Sequence, residues 1–312
     1  MFEGASNLST GVDNVFLLIF GISAVFLLAI TAVMLYFVWR YDEKRNPVPT
    51  EIHGSNTLEI VWTVIPTLLA LMMFWYGWKA WIPVRHPPAD SMTITVTARM
   101  WSFSFDYPNG LNNNVLLVPK GKAVRLNLHA VDINHSIFIP AFRIKQDAIP
   151  GRDNFVWFIA TKEGSYNLFC TEYCGLRHSY MNAEVKVVDE ATFKAWYASG
   201  PKKLSAEEAA KPGAIGRQLY EQKGCLACHS LDGTKIVGPS FKGIYGEDAT
   251  VLTDGKERTV KVDDDYIKRS LLEPNADVVK GFQPNMMVSY KGQIDEKGIK
   301  DIADFIKSLN AK

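Results

Sequence analysis

The sequence predicts a multi-domain protein in three consecutive parts: a two-helix transmembrane hairpin, an all-β Greek-key sandwich and an all-α domain. Three observations predict this order. Residues 14 to 39 and 60 to 78 contain no charged side chain. From Met92 onward, short β-rich runs alternate with turn residues. Beyond residue 212, apolar residues recur at helical spacing.

Each uncharged stretch is long enough to cross a hydrocarbon core about 30 Å thick at about 1.5 Å per residue. A signal peptide is the alternative for the first stretch, but it would begin with basic residues, and only Glu3 and Asp13 are charged before it. Arg40, Lys44 and Arg45 follow the first stretch, and the positive-inside tendency places that loop in the cytoplasm. We therefore expect an inner-membrane protein of bacterial type, with its N-terminus and later domains on the periplasmic side.

The middle of the chain is typical of an antiparallel sandwich. Its β-rich runs are separated by turn sequences such as Pro108-Asn109-Gly110 and Pro119-Lys120-Gly121. Several short strands at this spacing favour a Greek-key arrangement. The predicted strands cover residues 93 to 97, 124 to 128, 155 to 159 and 183 to 188.

The stretch from 170 to 181 carries the strongest chemical signal. It contains Cys170, Cys174, His178 and Met181, and a further imidazole, His135, lies upstream. Soft sulfur ligands with imidazole favour copper or zinc, and one Cys, two His and a weak Met make a mononuclear blue-copper site. The additional thiolate here predicts two thiolates bridging two copper ions. A zinc site or a disulfide is the alternative, although zinc gives no role to the methionine.

The remaining cysteines form the run Cys225-Leu226-Ala227-Cys228-His229, which is typical of covalent c-type haem attachment. A redox dithiol and half of a zinc site are the alternatives. The histidine is placed to ligate the haem iron, and Met286 and Met287 are candidates for the opposite position.

The copper pattern, Cys-x-Glu-x-Cys-Gly-x-x-His-x-x-Met preceded by Asp-x-x-His, resembles the CuA site of cytochrome c oxidase subunit II. The resemblance extends over the whole chain and is to the caa3 type, in which a cupredoxin domain is fused to a class I cytochrome c domain. It implies that Glu172 contributes its backbone carbonyl to copper and its side chain to a magnesium ion at the interface with subunit I. The implied side-chain ligands of copper are His135, Cys170, Cys174, His178 and Met181.

The run from 281 to 290 resembles the methionine loop of class I cytochromes c. This implies Met287 as the iron ligand, although Val288 stands where the family usually has proline, and Met286 stays an alternative. Gly238-Pro239 resembles the segment whose proline carbonyl orients the axial histidine. The last helix is expected to cross the first helix of this domain near Tyr220.

Two further segments resemble the same family. Leu58 to Pro66 resembles the start of its second helix, which implies that Glu59 lies at the entrance of a proton-uptake path. A solvated carboxylate stabilised by the helix dipole is the alternative. Trp101 opens an aromatic segment and is implied as the point at which electrons enter. Phe103 and Phe105 in that segment are alternatively plain core residues.

The resemblance implies an oxygen-reducing, proton-translocating cytochrome c oxidase. Electrons would pass from haem c to CuA and then to subunit I, with cytochrome c or a cytochrome bc complex as donor. A copper-containing nitric oxide reductase or a free-standing membrane carrier is the alternative. The net charge of +1 argues against a nucleic-acid partner. The expected divisions are a hairpin (1–90), a CuA domain (91–190), a linker (191–211) and a cytochrome c domain (212–312).

Overall fold

The computed structural model describes residues 4–48, 50–51, 53–201 and 204–310, and they form the predicted hairpin, sandwich and helical domain. The helices are α1 (Ser9–Arg40), α2 (Asn56–Arg85), α3 (Glu190–Ala198), α4 (Ala206–Ala209), α5 (Ala214–Gln222), α6 (Asp264–Leu272) and α7 (Glu296–Ser308). The strands of the sandwich are β1 (Met92–Arg99), β2 (Ser102–Asp106), β3 (Asn112–Asn113), β4 (Val115–Pro119), β5 (Ala123–Ala130), β6 (His135–Ile139), β7 (Ile144–Ala148), β8 (Asn154–Ile159), β9 (Gly164–Phe169) and β10 (Asn182–Val188). Three more strands follow in the helical domain: β11 (Asp248–Thr253), β12 (Lys256–Lys261) and β13 (Val278–Val279).

Helices α1 and α2 are long and apolar enough to cross a membrane, with mean hydropathy of 2.7 and 1.8 in their most apolar windows. None of either window is buried inside the chain. Ser55 caps the start of α2 by accepting a hydrogen bond from the backbone N–H of Leu58. Apolar surfaces this extensive need lipid or other subunits to cover them.

Both ends of the hairpin meet the sandwich. The backbone N–H of Ala5 donates to the carbonyl of Ala141 at 2.8 Å, just before α1 begins. At the other end, the Trp157 indole donates to the carbonyl of Pro83 at 2.9 Å. The N-terminal segment and the sandwich therefore lie at one end of the hairpin, and the loop between the helices lies at the other.

The sandwich consists of two five-stranded sheets, with strand orders β3-β2-β1-β5-β8 and β4-β10-β9-β6-β7. Every second side chain of β1 and β2 points into the core, as Ile94, Val96, Phe103 and Phe105 show. Each of the four predicted strands lies within an observed one. Strand β6 lies beside β9, and this order brings distant parts of the sequence together at the functional site.

Helix α3 packs against the sandwich directly after its last strand. Phe193 is buried in the sandwich core, and the Trp196 ring meets the Tyr107 ring edge-on at 4.9 Å between centroids. The Asp189 side chain caps the helix by accepting from the N–H of Thr192. The Phe193 and Trp196 side chains, which share one face of the helix, therefore hold the helix against the sandwich.

In the C-terminal domain, α7 crosses α5 at Gly216, close to Tyr220, where the resemblance to class I cytochromes c implied a crossing. A β-carbon at Gly216 would lie 1.9 Å from the carbonyl oxygen of Asp301, so only glycine permits this approach. Beside the crossing, the Tyr220 and Phe305 rings lie 5.5 Å apart. This close packing fixes the two helices that frame the cavity described below.

The three-stranded sheet of this domain, with order β12-β11-β13, was not foreseen. Asp254-Gly255 forms the two-residue turn between β11 and β12, with both φ angles positive, and Asp-Gly is a strong hairpin signal that could have revealed it. The buried carboxylate of Asp277 joins the sheet to α6, because it pairs with Arg258 at 2.8 Å and with Arg269 at 3.3 Å.

Candidate metal and haem sites

The loop between β9 and β10 gathers the five predicted copper ligands. The sulfur atoms of Cys170 and Cys174 lie 3.7 Å apart. The Cys170 sulfur lies 3.9 Å from Nδ1 of His135. The Cys174 sulfur lies 3.4 Å from Nδ1 of His178 and 3.7 Å from Sδ of Met181. Each thiol therefore has its own imidazole, and the thioether completes the group.

The backbone explains why these side chains meet. The N–H of Cys170 donates to the carbonyl of Met181 at 3.0 Å, which closes the loop at its base. His135 is the first residue of β6 and is 35 residues upstream of Cys170. It reaches the loop because β6 and β9 are neighbours in the sheet. Sheet order, rather than sequence proximity, therefore supplies the second imidazole.

The two thiols have different acidities in the metal-free chain. The hydrogen bond from Cys174 lowers the pKa of Cys170 well below its usual range, and the hydrogen bond with His135 lowers it further. The hydrogen bond that Cys174 makes with Cys170 raises the pKa of Cys174 above its usual range, and burial and the unfavourable approach of a second negative charge raise it further. Bound cations would remove that penalty. Two thiolates, two imidazoles and a thioether are a donor set that fits soft copper ions.

Glu172 contributes to this group through its main chain. Its carbonyl oxygen lies 3.3 Å from the Cys170 sulfur, inside the loop, whereas its side chain is half-buried. The carbonyl therefore lies beside one of the two thiols, and its role as a copper ligand stays a prediction.

A carboxylate orients the His135 ring. Nε2 of His135 lies 2.7 Å from Oδ1 of Asp132, and both side chains are buried. Burial alone would lower the pKa of His135, but Asp132 and Cys170 outweigh it and raise that pKa to about 9. Sequence analysis assigned no role to Asp132, although metal-binding histidines commonly pair with a carboxylate.

Trp101 lies against the same loop. Its side chain is 4% exposed, and its indole N–H donates to the carbonyl of Cys174 at 2.8 Å. Its neighbour Met100 lines the cavity of the C-terminal domain. Phe103 and Phe105 fill the sandwich core, as the plain structural interpretation expected.

That cavity is partly open to solvent and is lined mainly by apolar side chains, together with Cys225, Cys228 and His229. Nδ1 of His229 is hydrogen-bonded to the carbonyl of Pro239 at 2.8 Å, which leaves Nε2 for a ligand. Burial lowers the pKa of His229, so the ring stays neutral and can bind iron. An apolar cavity with two thiols and a neutral imidazole fits a covalently attached haem.

Met286 and Met287 both line this cavity. Met287 packs against the core of the C-terminal domain, whereas Met286 packs against the core of the sandwich. Both stay half-buried. The fold therefore brings both candidate axial ligands to the cavity.

Glu59 lies apart from both redox sites. It is an exposed residue in the first turn of α2, at the end of the hairpin remote from the sandwich. Its backbone N–H donates to the carbonyl of Ser55 at 3.0 Å, as expected for the start of a helix.

Comparison with known families matches three segments of the chain. Residues 1–79 match the transmembrane domain of cytochrome c oxidase subunit II, residues 111–188 match its periplasmic domain, and residues 213–310 match cytochrome c. The cytochrome c oxidase subunit 2 of Cereibacter sphaeroides is 30% identical over 62% of this chain and 78% of its own length. That of Alkalihalophilus pseudofirmus is 27% identical over 94% of this chain and 86% of its own length.

Among solved structures, the periplasmic domain of subunit II of cytochrome oxidase from Bradyrhizobium japonicum is 33% identical, with a TM-score of 0.35. The matched region covers 37% of this chain and 96% of that domain. The family matches follow the hairpin, the sandwich and the helical domain in order. The chain therefore belongs to the cytochrome c oxidase subunit 2 family, in a form that carries its own C-terminal cytochrome c domain.

Proposed function

We propose that this subunit transfers electrons from a covalent haem c to a binuclear copper centre and on to subunit I, where oxygen is reduced to water with proton pumping. The observation that best supports this proposal is that Cys170 and Cys174 each have their own imidazole, while Cys225, Cys228 and His229 line an apolar cavity in the C-terminal domain. A nitric oxide reductase or a free-standing carrier is disfavoured, because the relatives above are named cytochrome c oxidase subunit 2.

The copper centre supplies a one-electron acceptor when it is loaded. The two cysteine thiolates, the two imidazoles and the two weak donors would together hold two copper ions. No position is then left for a substrate, which suits electron transfer. The proposed ligands are His135, Cys170, Cys174, His178, Met181 and the carbonyl of Glu172.

We propose that Cys225 and Cys228 would hold a haem through thioether bonds and that His229 and Met287 would ligate its iron. The hydrogen bond from His229 to Pro239 supports this, because it fixes the ring and its tautomer. Methionine ligation raises the reduction potential of the iron, which suits an acceptor for cytochrome c or a cytochrome bc complex. Met286 is the alternative ligand.

Two residues are proposed to connect these centres with their surroundings. Trp101 would pass electrons toward the copper site, and its hydrogen bond to the carbonyl of Cys174 supports this role. The half-buried side chain of Glu172 would bind a magnesium ion at the interface with subunit I, since carboxylate oxygen is a preferred ligand of that ion.

Glu59 is proposed to lie at the entrance of a proton-uptake path into subunit I. This role is supported by the position of Glu59, an ionisable residue beside a long apolar run at the end of the hairpin opposite the redox sites. We propose the periplasmic side for both redox domains, because Arg40, Lys44 and Arg45 favour a cytoplasmic loop. We also propose that the chain divides into a hairpin (1–90), a CuA domain (91–190), a linker (191–211) and a cytochrome c domain (212–312).

Metal and haem analysis of the purified oxidase tests the assignment. We expect two copper ions and one covalent haem c in this subunit. Met181→Leu should change the copper spectrum and leave the haem spectrum unchanged. Met92→Leu, in the first strand of the sandwich, is the matched control. Zinc in place of copper, or an unchanged copper spectrum in Met181→Leu, would contradict the assignment. Digestion of the haem domain by protease added to spheroplasts tests the orientation.

A further inference from the structure

The cytochrome c domain lies directly on the sandwich, and its contacts are specific. Asn114, next to β4, donates from its side chain to the carbonyl of Glu221 in α5 at 3.0 Å. Ser102 of the sandwich closely approaches Gly224, where a β-carbon would lie 2.3 Å from the serine Oγ. Gly224 also has a positive φ of 75°. A side chain at this position would have to displace the Ser102 hydroxyl, and the positive φ also favours glycine.

Arg177 connects the two redox loops. Its guanidinium donates to the carbonyl of Ala227. Arg177 directly precedes the proposed copper ligand His178, and Ala227 directly precedes the haem-attachment residue Cys228. One hydrogen bond from a half-buried arginine therefore joins the loop that would hold copper to the loop that would hold haem.

Arg99, at the end of β1, forms a second contact between the domains. It is 7% exposed, its guanidinium lies 5.3 Å from the centre of the Tyr290 ring, and Nη2 donates to Oε1 of Gln293 at 3.0 Å. Within the described residues Nη1 has no hydrogen-bond partner. Burying a cation is costly unless it is partnered, so a shifted register that removed these two contacts would be penalised. The contact therefore selects one orientation.

We propose that Arg177 and Arg99 are positioning residues that hold the cytochrome c domain in one docked register on the sandwich, so that electrons reach the copper site without prior domain movement. In this step one electron leaves the ferrous haem and reduces the copper centre, and no bond is made or broken. The inference rests on the proposed copper and haem sites. The competing arrangement is a mobile domain whose encounters are set by the tether alone.

Pulsed electron paramagnetic resonance on the intact, oxidised oxidase measures the distance distribution between copper and haem, and flash-induced kinetics measure the transfer rate at increasing viscosity. We compare the wild type with Arg177→Ala, Arg177→Lys, Arg99→Ala and the double variant Arg99→Ala/Arg177→Ala. The matched control is Arg152→Ala, an exposed arginine between β7 and β8. Copper and haem spectra show whether both centres load.

The wild type and Arg152→Ala should give one narrow distance distribution and a rate independent of viscosity. Each arginine-to-alanine change should lower the ratio of docked to undocked chains roughly tenfold, since it removes a hydrogen bond from a charged group. The double variant should then show a broad distribution and a slower, viscosity-dependent rate, and Arg177→Lys should recover part of the narrow distribution. If Arg177→Ala prevents copper loading, Arg99→Ala combined with Asn114→Ala tests the same interface away from the ligands.

A broad distribution and a viscosity-dependent rate in the wild type would overturn the docked register. A double variant with wild-type distances and rate would overturn the role of the two arginines. Absence of a copper or haem spectrum in the wild type would instead refute the proposed sites, so the two failures are distinguishable.

Discussion

Replacing Asp132 by asparagine should weaken copper binding while the sandwich stays folded. The buried Asp132 carboxylate accepts three hydrogen bonds: Oδ1 from His135 Nε2 and from the N–H of Ile133, and Oδ2 from the N–H of Met100, each at 2.7 Å. Asparagine has one acceptor oxygen and one donor NH₂. Whichever way the amide is turned, its NH₂ group faces an N–H group from which the carboxylate accepted a hydrogen bond. Two donors then face each other without an acceptor.

If the NH₂ faces His135, the ring must carry its proton on Nδ1 to accept from it. Nδ1 is the atom directed at the Cys170 sulfur, so that tautomer cannot bind copper. If the NH₂ faces Met100 instead, a buried N–H group loses its partner. That unmade hydrogen bond costs about 2 kcal/mol of fold stability, whether or not copper is bound. The first orientation is the one that lowers copper affinity, and we expect the roughly 10- to 100-fold loss typical when a carboxylate that orients a metal-binding histidine is replaced.

Competition with a copper chelator at fixed pH, followed through the absorption of the thiolate–copper centre, measures the affinity. Asp153→Asn, at an exposed position before β8, is the matched control and should behave as the wild type. Wild-type copper affinity in Asp132→Asn would refute the reasoning. So would an equal loss in the Asp153 control.

Four further predictions follow from the structure. Met287→Ala should abolish the low-spin, methionine-ligated haem spectrum, whereas Met286→Ala should preserve it. The reverse result would identify Met286 as the iron ligand. Trp101→Phe removes the hydrogen bond to Cys174 and should slow electron transfer from haem to copper in flash kinetics, whereas Trp157→Phe, which removes a similar bond to Pro83, should not. Glu59→Gln should slow oxygen reduction and proton uptake with unchanged spectra; turnover equal to that of the exposed control Glu51→Gln would leave Glu59 as a solvated carboxylate. Burial would raise the pKa of Asp277, but Thr253, Arg258 and Arg269 outweigh burial and lower that pKa. The ionised carboxylate therefore stabilises the fold at pH values above its unfolded pKa of about 3.9. This stabilisation is lost as the pH falls through the lower pKa of the folded state. Asp277→Asn should therefore destabilise the haem domain by about 2 kcal/mol at pH 7, or roughly 10 °C in Tm, with a smaller difference once the pH is low enough to protonate the carboxylate. Thermal melts of the haem absorption would measure this, and an equal shift in the exposed control Asp304→Asn would count against it.

The sequence by itself determined the features that are encoded locally. The uncharged stretches predict the hairpin because only length and composition decide whether a helix can span a bilayer. The thiols at 170 and 174 and the Cys-x-x-Cys-His run carry their chemistry in their spacing, because their donor atoms share one short loop. Runs of β-branched and aromatic residues between turn sequences predicted the four strands, since such residues suit a pleated, half-buried strand.

Only the tertiary structure decided which distant groups meet. His135 reaches Cys170 because β6 lies beside β9, and a periodic pattern contains no information about the order of strands in a sheet. The same holds for Asp132, whose role depends on the ring orientation of its neighbour, and for the two methionines, which both reach the cavity. The contacts of Arg99 and Arg177 lie between domains that are far apart in sequence. These contacts depend on how the surfaces of two folded domains fit together, and local sequence propensity cannot encode that fit.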